Sequence, residues 1–172
     1  MTDRTPREFK SLNIAVLTVS DTRTEQNDSS GGYLCEALQA TGHRLFEKVI
    51  NRDDRYQIRA TVSAWITNSE VQIVLITGGT GFAARDVTPE AVGPLLDKTM
   101  PGFGELFRYH SIADVGTSTV QSRALGGVAN HTFIFCLPGS TGACRTAWEK
   151  VLKDQLDYRH RPCNFVELLP QQ

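Results

Sequence analysis

The stretch Leu75 to Glu90 reads LITGGTGFAARDVTPE, where apolar residues give way to three glycines among threonines, then to Arg85 and Asp86. Bare backbone in a glycine nest binds negative oxygens. An arginine can clamp their charge, and an aspartate can serve as a cation ligand or as a general base. Two other loops have related chemistry. Ser20-Asp21-Thr22-Arg23 follows one apolar run and Leu137-Pro138-Gly139-Ser140-Thr141 follows another. Each has a plainer explanation: Asp21 in an Asx turn, the glycines in a chain reversal, Arg85 as a solvated charge and Ser140 as a helix cap. Together they nominate Ser20, Asp21, Thr77, Gly78, Gly79, Thr80, Gly81, Arg85, Asp86, Pro138, Gly139 and Ser140 as an anion or pterin cradle. The Walker pattern is excluded because GGTGFAA has no lysine, and the Gly-x-Gly-x-x-Gly dinucleotide fingerprint is absent. Asp53, in the Arg-Asp-Asp run at 52–54, is either a turn aspartate or half of a carboxylate pair with Asp86. Such a pair, together with substrate phosphates, could hold Mg²⁺.

These loops need a scaffold that brings them to one edge. Leu12 to Ser20 is an almost continuous apolar run rich in β-branched residues, the mark of a strand covered on both faces. A helix follows with Leu34, Ala37, Leu38 and Thr41 at helical spacing, Ser29 or Ser30 as its cap and Gly42 as its stop. A second strand is expected at Leu45 to Ile50. Asp54 and Gln57 have capping-box spacing and open a helix with Ile58, Val62, Trp65 and Ile66 facing inward. Val71 to Thr77 reads as a third strand. Thr88 is expected to cap a short helix with Pro89 at its first position and Glu90 in its first turn. Phe103, Leu106, Phe107 and His110 form a further helical stripe, His131 to Leu137 a fourth buried strand, and Ala147, Trp148, Val151, Leu152 and Leu156 the face of a closing helix. Strand and helix alternate, so the expected fold is three-layer α/β/α with a mostly parallel sheet. In such a sheet, ligands sit beyond the carboxyl ends of the strands, where all three loops fall.

A chain of 172 residues with 40% hydrophobic content holds one domain with a sizeable core. We expect that domain at 12–157, after a flexible arm at 1–11 and before a C-terminal extension at 158–172. A formal net charge of -1 disfavours a nucleic-acid partner. No apolar run reaches membrane-spanning length and the first residues do not resemble a signal core, so a soluble, cytoplasmic protein is expected. The four cysteines are scattered, which implies reduced thiols. The four histidines share no metal-ligand spacing.

Taken together, VSDTR, TGGTGFAARDVTPE, GTSTVQSRALGG and FCLPGST resemble the signature blocks of the MoaB/MogA family of molybdenum cofactor biosynthesis proteins, from about Leu12 to Phe165. Gly116 to Phe165 is especially similar to the MoaB branch. The resemblance implies molybdopterin as ligand and homo-oligomers, hexameric in the MoaB branch with a trimer as the alternative. In active members it also implies Mg²⁺-dependent transfer of AMP from ATP to the terminal phosphate of molybdopterin. It assigns Asp53 and Asp86 as the catalytic and metal-binding acids. Ser122 and Arg123 would belong to the ligand-binding loop, though a polar loop before a strand would look similar. Phe82 departs from the proline usual in active members, and Ala84 lies in a stretch that is often more basic. The leading expectation is an adenylyltransferase. The rivals are a non-catalytic molybdopterin carrier of the same fold and, from the Ser/Thr-rich first loop, a flavodoxin-like flavin binder.

The stripe on Met100 to Ile112 carries more aromatic surface than a short helix hides against one sheet. Its expected cover is either a neighbouring subunit or the C-terminal extension, through Phe165 and Val166.

Overall fold

Six of the seven residues from Asn13 to Val19 are buried, and they form β1, the centre of the first sheet contacts. The structure, a computed structural model, describes residues 6–170, so part of the expected arm (1–5) and the last two residues of the extension lie outside the described residues. Helix α1 (Ser29–Ala40) is capped by Asp28 rather than by Ser29 or Ser30. The Asp28 carboxylate accepts the Gly31 N–H at 2.9 Å, and the Ser30 hydroxyl donates to the same oxygen. The helix stops as expected at Gly42, with φ of 93°. There the His43 and Gly42 N–H groups donate to Leu38 and Gln39 carbonyls, the paired bonds of a Schellman motif.

Strand β2 (Arg44–Asn51) leads to α2 (Arg55–Thr67), where Asp54 caps as its spacing implies, accepting the Tyr56 and Gln57 N–H groups at 2.9 and 2.8 Å. After β3 (Ile73–Thr77) comes α3 (Thr88–Val92). Here the expected Thr88 cap is replaced. Thr88 is the first helical residue, Val87 holds the cap position without a side-chain bond, and the Thr88 hydroxyl donates to the Gly78 carbonyl at 2.8 Å. Thr88 is spent on the glycine loop, not on the helix.

Two short strands escape the periodic reading: β4 (Lys98–Thr99) and β5 (Leu125–Ala129). Between them lies α4 (Pro101–Val115), followed by a 3₁₀ turn at Gly116–Gln121. β6 (Thr132–Leu137) follows β5 through a two-residue turn at Asn130 and His131, both at positive φ, as a type I′ hairpin requires. His131 is thus a turn residue, one place before the strand. The closing helix runs through α5 (Thr141–Ala147), a π turn at Trp148–Leu152 and α6 (Lys153–Gln155).

The sheet order is β2-β1-β3-β6-β5-β4. β2, β1, β3 and β6 are mutually parallel, β5 pairs antiparallel with β6, and β4 pairs antiparallel with β5. One face packs β1, β3 and β6 side chains against α1, α4 and the closing helix, while the other packs them against α2 and α3. The three-layer, mostly parallel expectation therefore stands, and the carboxyl ends of four parallel strands meet at one edge.

Residues 6–11 have no helix or strand but are tied to the extension. Arg7 pairs with Glu167 and Lys10 lies over the Tyr158 ring at 4.1 Å. Phe165 stacks on Phe133 at 5.1 Å and Val166 is buried, so the extension covers core strands.

Candidate functional site

At the carboxyl edge the chain after β3 turns sharply through Gly78 and Gly79, at φ of 104° and 64°. Bulk is excluded there. A Cβ on Gly78 would sit 2.1 Å from the Val19 carbonyl oxygen, and one on Gly79 would sit 2.4 Å from Thr88 Oγ1 and 3.0 Å from Asp53 Oδ1. The loop is pinned at its base by the Gly78 N–H to the Leu137 carbonyl (3.0 Å) and by the Thr77 hydroxyl to the Pro138 carbonyl (3.1 Å). Farther along, Asp86 Oδ2 accepts the Ala83 N–H at 2.7 Å and lies 2.7 Å from where a Gly81 Cβ would be. The glycine backbone therefore passes beside both Asp53 and Asp86. Among the described residues, the N–H groups of Gly79, Thr80 and Gly81 have no hydrogen-bond partner.

Neighbouring loops complete the rim. Ser20 Oγ accepts the N–H groups of Thr22 and Arg23, each at 3.2 Å, which shapes the first loop. Asp21 Oδ1 accepts the Asp53 N–H at 3.3 Å and joins the loops after β1 and β2. Ser140 is the cap of α5, its Oγ accepting the Ala143 N–H at 3.2 Å. These features enclose a cavity of about 710 Å³. Ser20, Asp21, Asp53, Thr77 to Gly81, Arg85, Asp86, Ser122 and Pro138 to Ser140 all line it.

Arg123 does not line the cavity. Its guanidinium donates to the Gly81 carbonyl through Nε (2.9 Å) and Nη2 (2.6 Å), donates to the Asp86 carbonyl (2.9 Å), pairs with Glu90 and lies over the exposed Phe82 ring. One side chain thus braces the outer half of the glycine loop against α3. Carbonyls in an irregular loop need donors, and a planar five-donor group supplies several at once. That brace is legible only in three dimensions, since Arg123 is 37 residues from Asp86.

The electrostatics centre on Asp53. Burial raises its carboxyl pKa above the ordinary 3.8, and the nearby Asp21 and Asp86 carboxylates raise it further, while Arg85 pulls it back. A cation would relieve that repulsion. Among the described residues no group of three or more Asp, Glu, His or Cys forms a ligating cluster. Asp53 and Asp86 are the residues that could hold a cation there, with water and substrate oxygens completing its shell.

The rest of the cavity includes Phe107, read in the sequence only as part of a helical stripe, and residues not singled out there. Phe107, Ser111, Asp114 and Val115 come from α4, Ser118 from the 3₁₀ turn, and Thr146 from α5. On a helical wheel they read as core or solvated positions, and only the docking of α4 beside α5 turns them toward a common space.

Residues 15–158 match the family described as a probable molybdopterin binding domain. The chain is 56% identical over 158 residues to molybdenum cofactor biosynthesis protein B of Escherichia coli (strain K12), spanning 92% of this chain and 93% of that protein. It is 42% identical over 159 residues to the protein of the same name from Bacillus cereus, spanning 92% and 94%. A crystal structure of a molybdenum cofactor biosynthesis protein B superposes with a TM-score of 0.84 at 44% identity, over 87% of this chain and 94% of that one. The tungsten cofactor synthesizing protein MoaB from Pyrococcus furiosus superposes with a TM-score of 0.78 at 35% identity, over 86% and 93%. A glycine loop between two carboxylates at the end of a parallel sheet, and a likeness that spans most of the chain, lead to one assignment: the chain belongs to the molybdopterin-binding family of molybdenum cofactor biosynthesis proteins.

Proposed function

We propose that this cavity binds molybdopterin with its terminal phosphate at the glycine loop, and that the protein transfers AMP from ATP onto that phosphate. The observation that carries the reading is the run of three unpartnered N–H groups, Gly79 to Gly81, beside Asp53 and Asp86. Unpaired backbone donors are costly unless something accepts from them, and phosphate oxygens are suited to a glycine nest. Two carboxylates so close would repel a phosphate without a cation. Mg²⁺ held by Asp53 and Asp86 would neutralise charge on the phosphate oxygens.

In the transfer, an oxygen of the molybdopterin phosphate forms a bond to the α-phosphorus of ATP. The bond from that phosphorus to its bridging oxygen breaks, and pyrophosphate leaves with the electron pair. The attacking oxygen is already anionic, so no proton need be removed, and Asp86 serves as a ligand rather than a base. The N–H groups of Gly79 to Gly81 orient one phosphate, Arg85 supplies positive charge at the rim, and Arg123 keeps the loop in shape from behind. The use of ATP suits a cytoplasmic setting. No helix among the described residues is long and apolar enough to cross a membrane.

The test is incubation of protein with ATP, Mg²⁺ and molybdopterin, followed by chromatography of the pterin and an assay for pyrophosphate. Adenylylated pterin and pyrophosphate in equal amounts, dependent on all three additions, are expected. Tight molybdopterin binding without either product would establish the carrier alternative.

We also propose a homo-oligomer, a hexamer before a trimer. Phe103 and Phe107 are buried within the subunit, with Phe103 against Phe135 at 4.9 Å. The outward stripe on α4 is instead Leu106, Tyr109 and Ile112, continued by Val120, all exposed. A second copy is the proposed cover for that stripe.

A further inference from the structure

The cavity extends past the glycine loop to a wall that the phosphate chemistry does not use. That wall is made by the second half of α4, the 3₁₀ turn after it and α5. Asp114, an exposed residue at the mouth of the cavity, lines it, and the buried Thr146 donates its hydroxyl hydrogen to Asp114 Oδ2 at 2.6 Å. Among the described residues Oδ1 accepts no hydrogen bond, and no lysine or arginine pairs with the group. A carboxylate has about four acceptor sites, so one hydroxyl leaves room for two further N–H donors. Phe107 and Val115 add apolar surface to the same wall, and Ser111 and Ser118 add hydroxyls.

A carboxylate held in one orientation beside apolar surface suits a flat ring that presents two adjacent N–H donors. The 2-amino-4-oxo edge of a pterin has them, in its exocyclic amine and its neighbouring ring N–H. Paired N–H donors meeting a carboxylate side by side form the strong bidentate arrangement familiar from guanidinium. Adenine is a poor match, because ring lone pairs flank its amine and would face the carboxylate. The geometry points to Asp114, oriented by Thr146, as the residue that determines specificity for the ring end of the ligand. It selects a 2-amino-4-oxo heterocycle. This rests on the reading that the glycine loop takes the phosphate end of a molybdopterin. Thr146 is a positioning residue, because it acts only through Asp114.

The test uses the full-length protein, as wild type, Asp114→Asn and Thr146→Val, titrated calorimetrically with pterin and with lumazine, which has an oxo group in place of the 2-amino group. Thermal melts check that each variant is folded. Wild type should prefer pterin by at least tenfold. Asp114→Asn should lose that preference with lumazine affinity unchanged, and Thr146→Val should lose part of it. Equal pterin affinity in wild type and Asp114→Asn overturns the proposal, as does adenosine displacing pterin at equal concentration. Molybdopterin itself separates the two claims. If wild type fails to bind it, the reading of the cavity fails. If wild type and Asp114→Asn bind it equally tightly, only the role of Asp114 falls. If neither free ring binds measurably, the same molybdopterin comparison decides, with a loss of at least tenfold expected in Asp114→Asn.

Discussion

Asp53 holds a carboxyl where ionisation is disfavoured, by burial first and then by Asp21 and Asp86. Because its folded pKa lies above its unfolded value, the unfolded state gives up its proton first. The group therefore costs stability as pH rises through and beyond that window, and costs nothing below the unfolded pKa. Asp53→Asn should raise the melting temperature at pH 7 by about 1–3 °C in the absence of divalent cations. Calorimetry at pH 7 and pH 3 checks this, with the gain expected to vanish at the lower pH; a variant that melts lower at pH 7 would contradict the electrostatic account. Asp86→Asn keeps the shape but loses a charge, so transfer should fall by about 100-fold or more while molybdopterin affinity stays within a few-fold. Unchanged turnover in that variant would remove Asp86 from the mechanism.

At the scale of elements, the glycine loop is the part that tolerates least. Gly79→Val would require a side chain where Thr88 Oγ1 and Asp53 Oδ1 already stand, and at positive φ. Ligand affinity should fall at least tenfold. Arg123→Lys keeps the charge but not the fork that serves the Gly81 and Asp86 carbonyls, so faster amide exchange across 80–87 is expected, at a cost of about 1–3 kcal/mol. Unaltered exchange there would reduce Arg123 to a surface charge. The four parallel strands and both the Asp54 and Gly42 signals were legible in the sequence, because each is local: an apolar run, a cap spacing, a stop residue. β5 was not, since Gly126 and Gly127 weaken any strand signal and its partners are supplied by tertiary pairing. The same holds for the site. The loop residues announced themselves by type, whereas the Asp114 and Thr146 pair exists only through the docking of α4 on α5. Arg123 was legible as part of a ligand loop but stands behind it.

Across the whole molecule, the arm closes over His43, whose Nδ1 accepts the Leu12 N–H and whose ring lies 5.1 Å from Phe9. Burial lowers its pKa from 6.5 to about 4. Below pH 6.5 the unfolded state binds the extra proton first, so stability should be lost as pH falls from about 6.5 to 4, by on the order of 2–3 kcal/mol. Denaturant titrations of wild type and His43→Gln should show a shallower pH slope in the variant. The exposed stripe of Leu106, Tyr109 and Ile112 bears on assembly. Light scattering should give a multiple of the 19.0 kDa chain mass, and Tyr109→Glu should lower it. A wild-type monomer at every concentration would end that proposal. The central claim is that the cavity at the sheet edge receives molybdopterin through its glycine loop, and equilibrium titration of molybdopterin, followed by pterin fluorescence, tests it most directly. Saturable binding with one site per chain in wild type, lost by at least tenfold in a folded Gly79→Val variant, is the predicted result; equal affinity in the two proteins would contradict it.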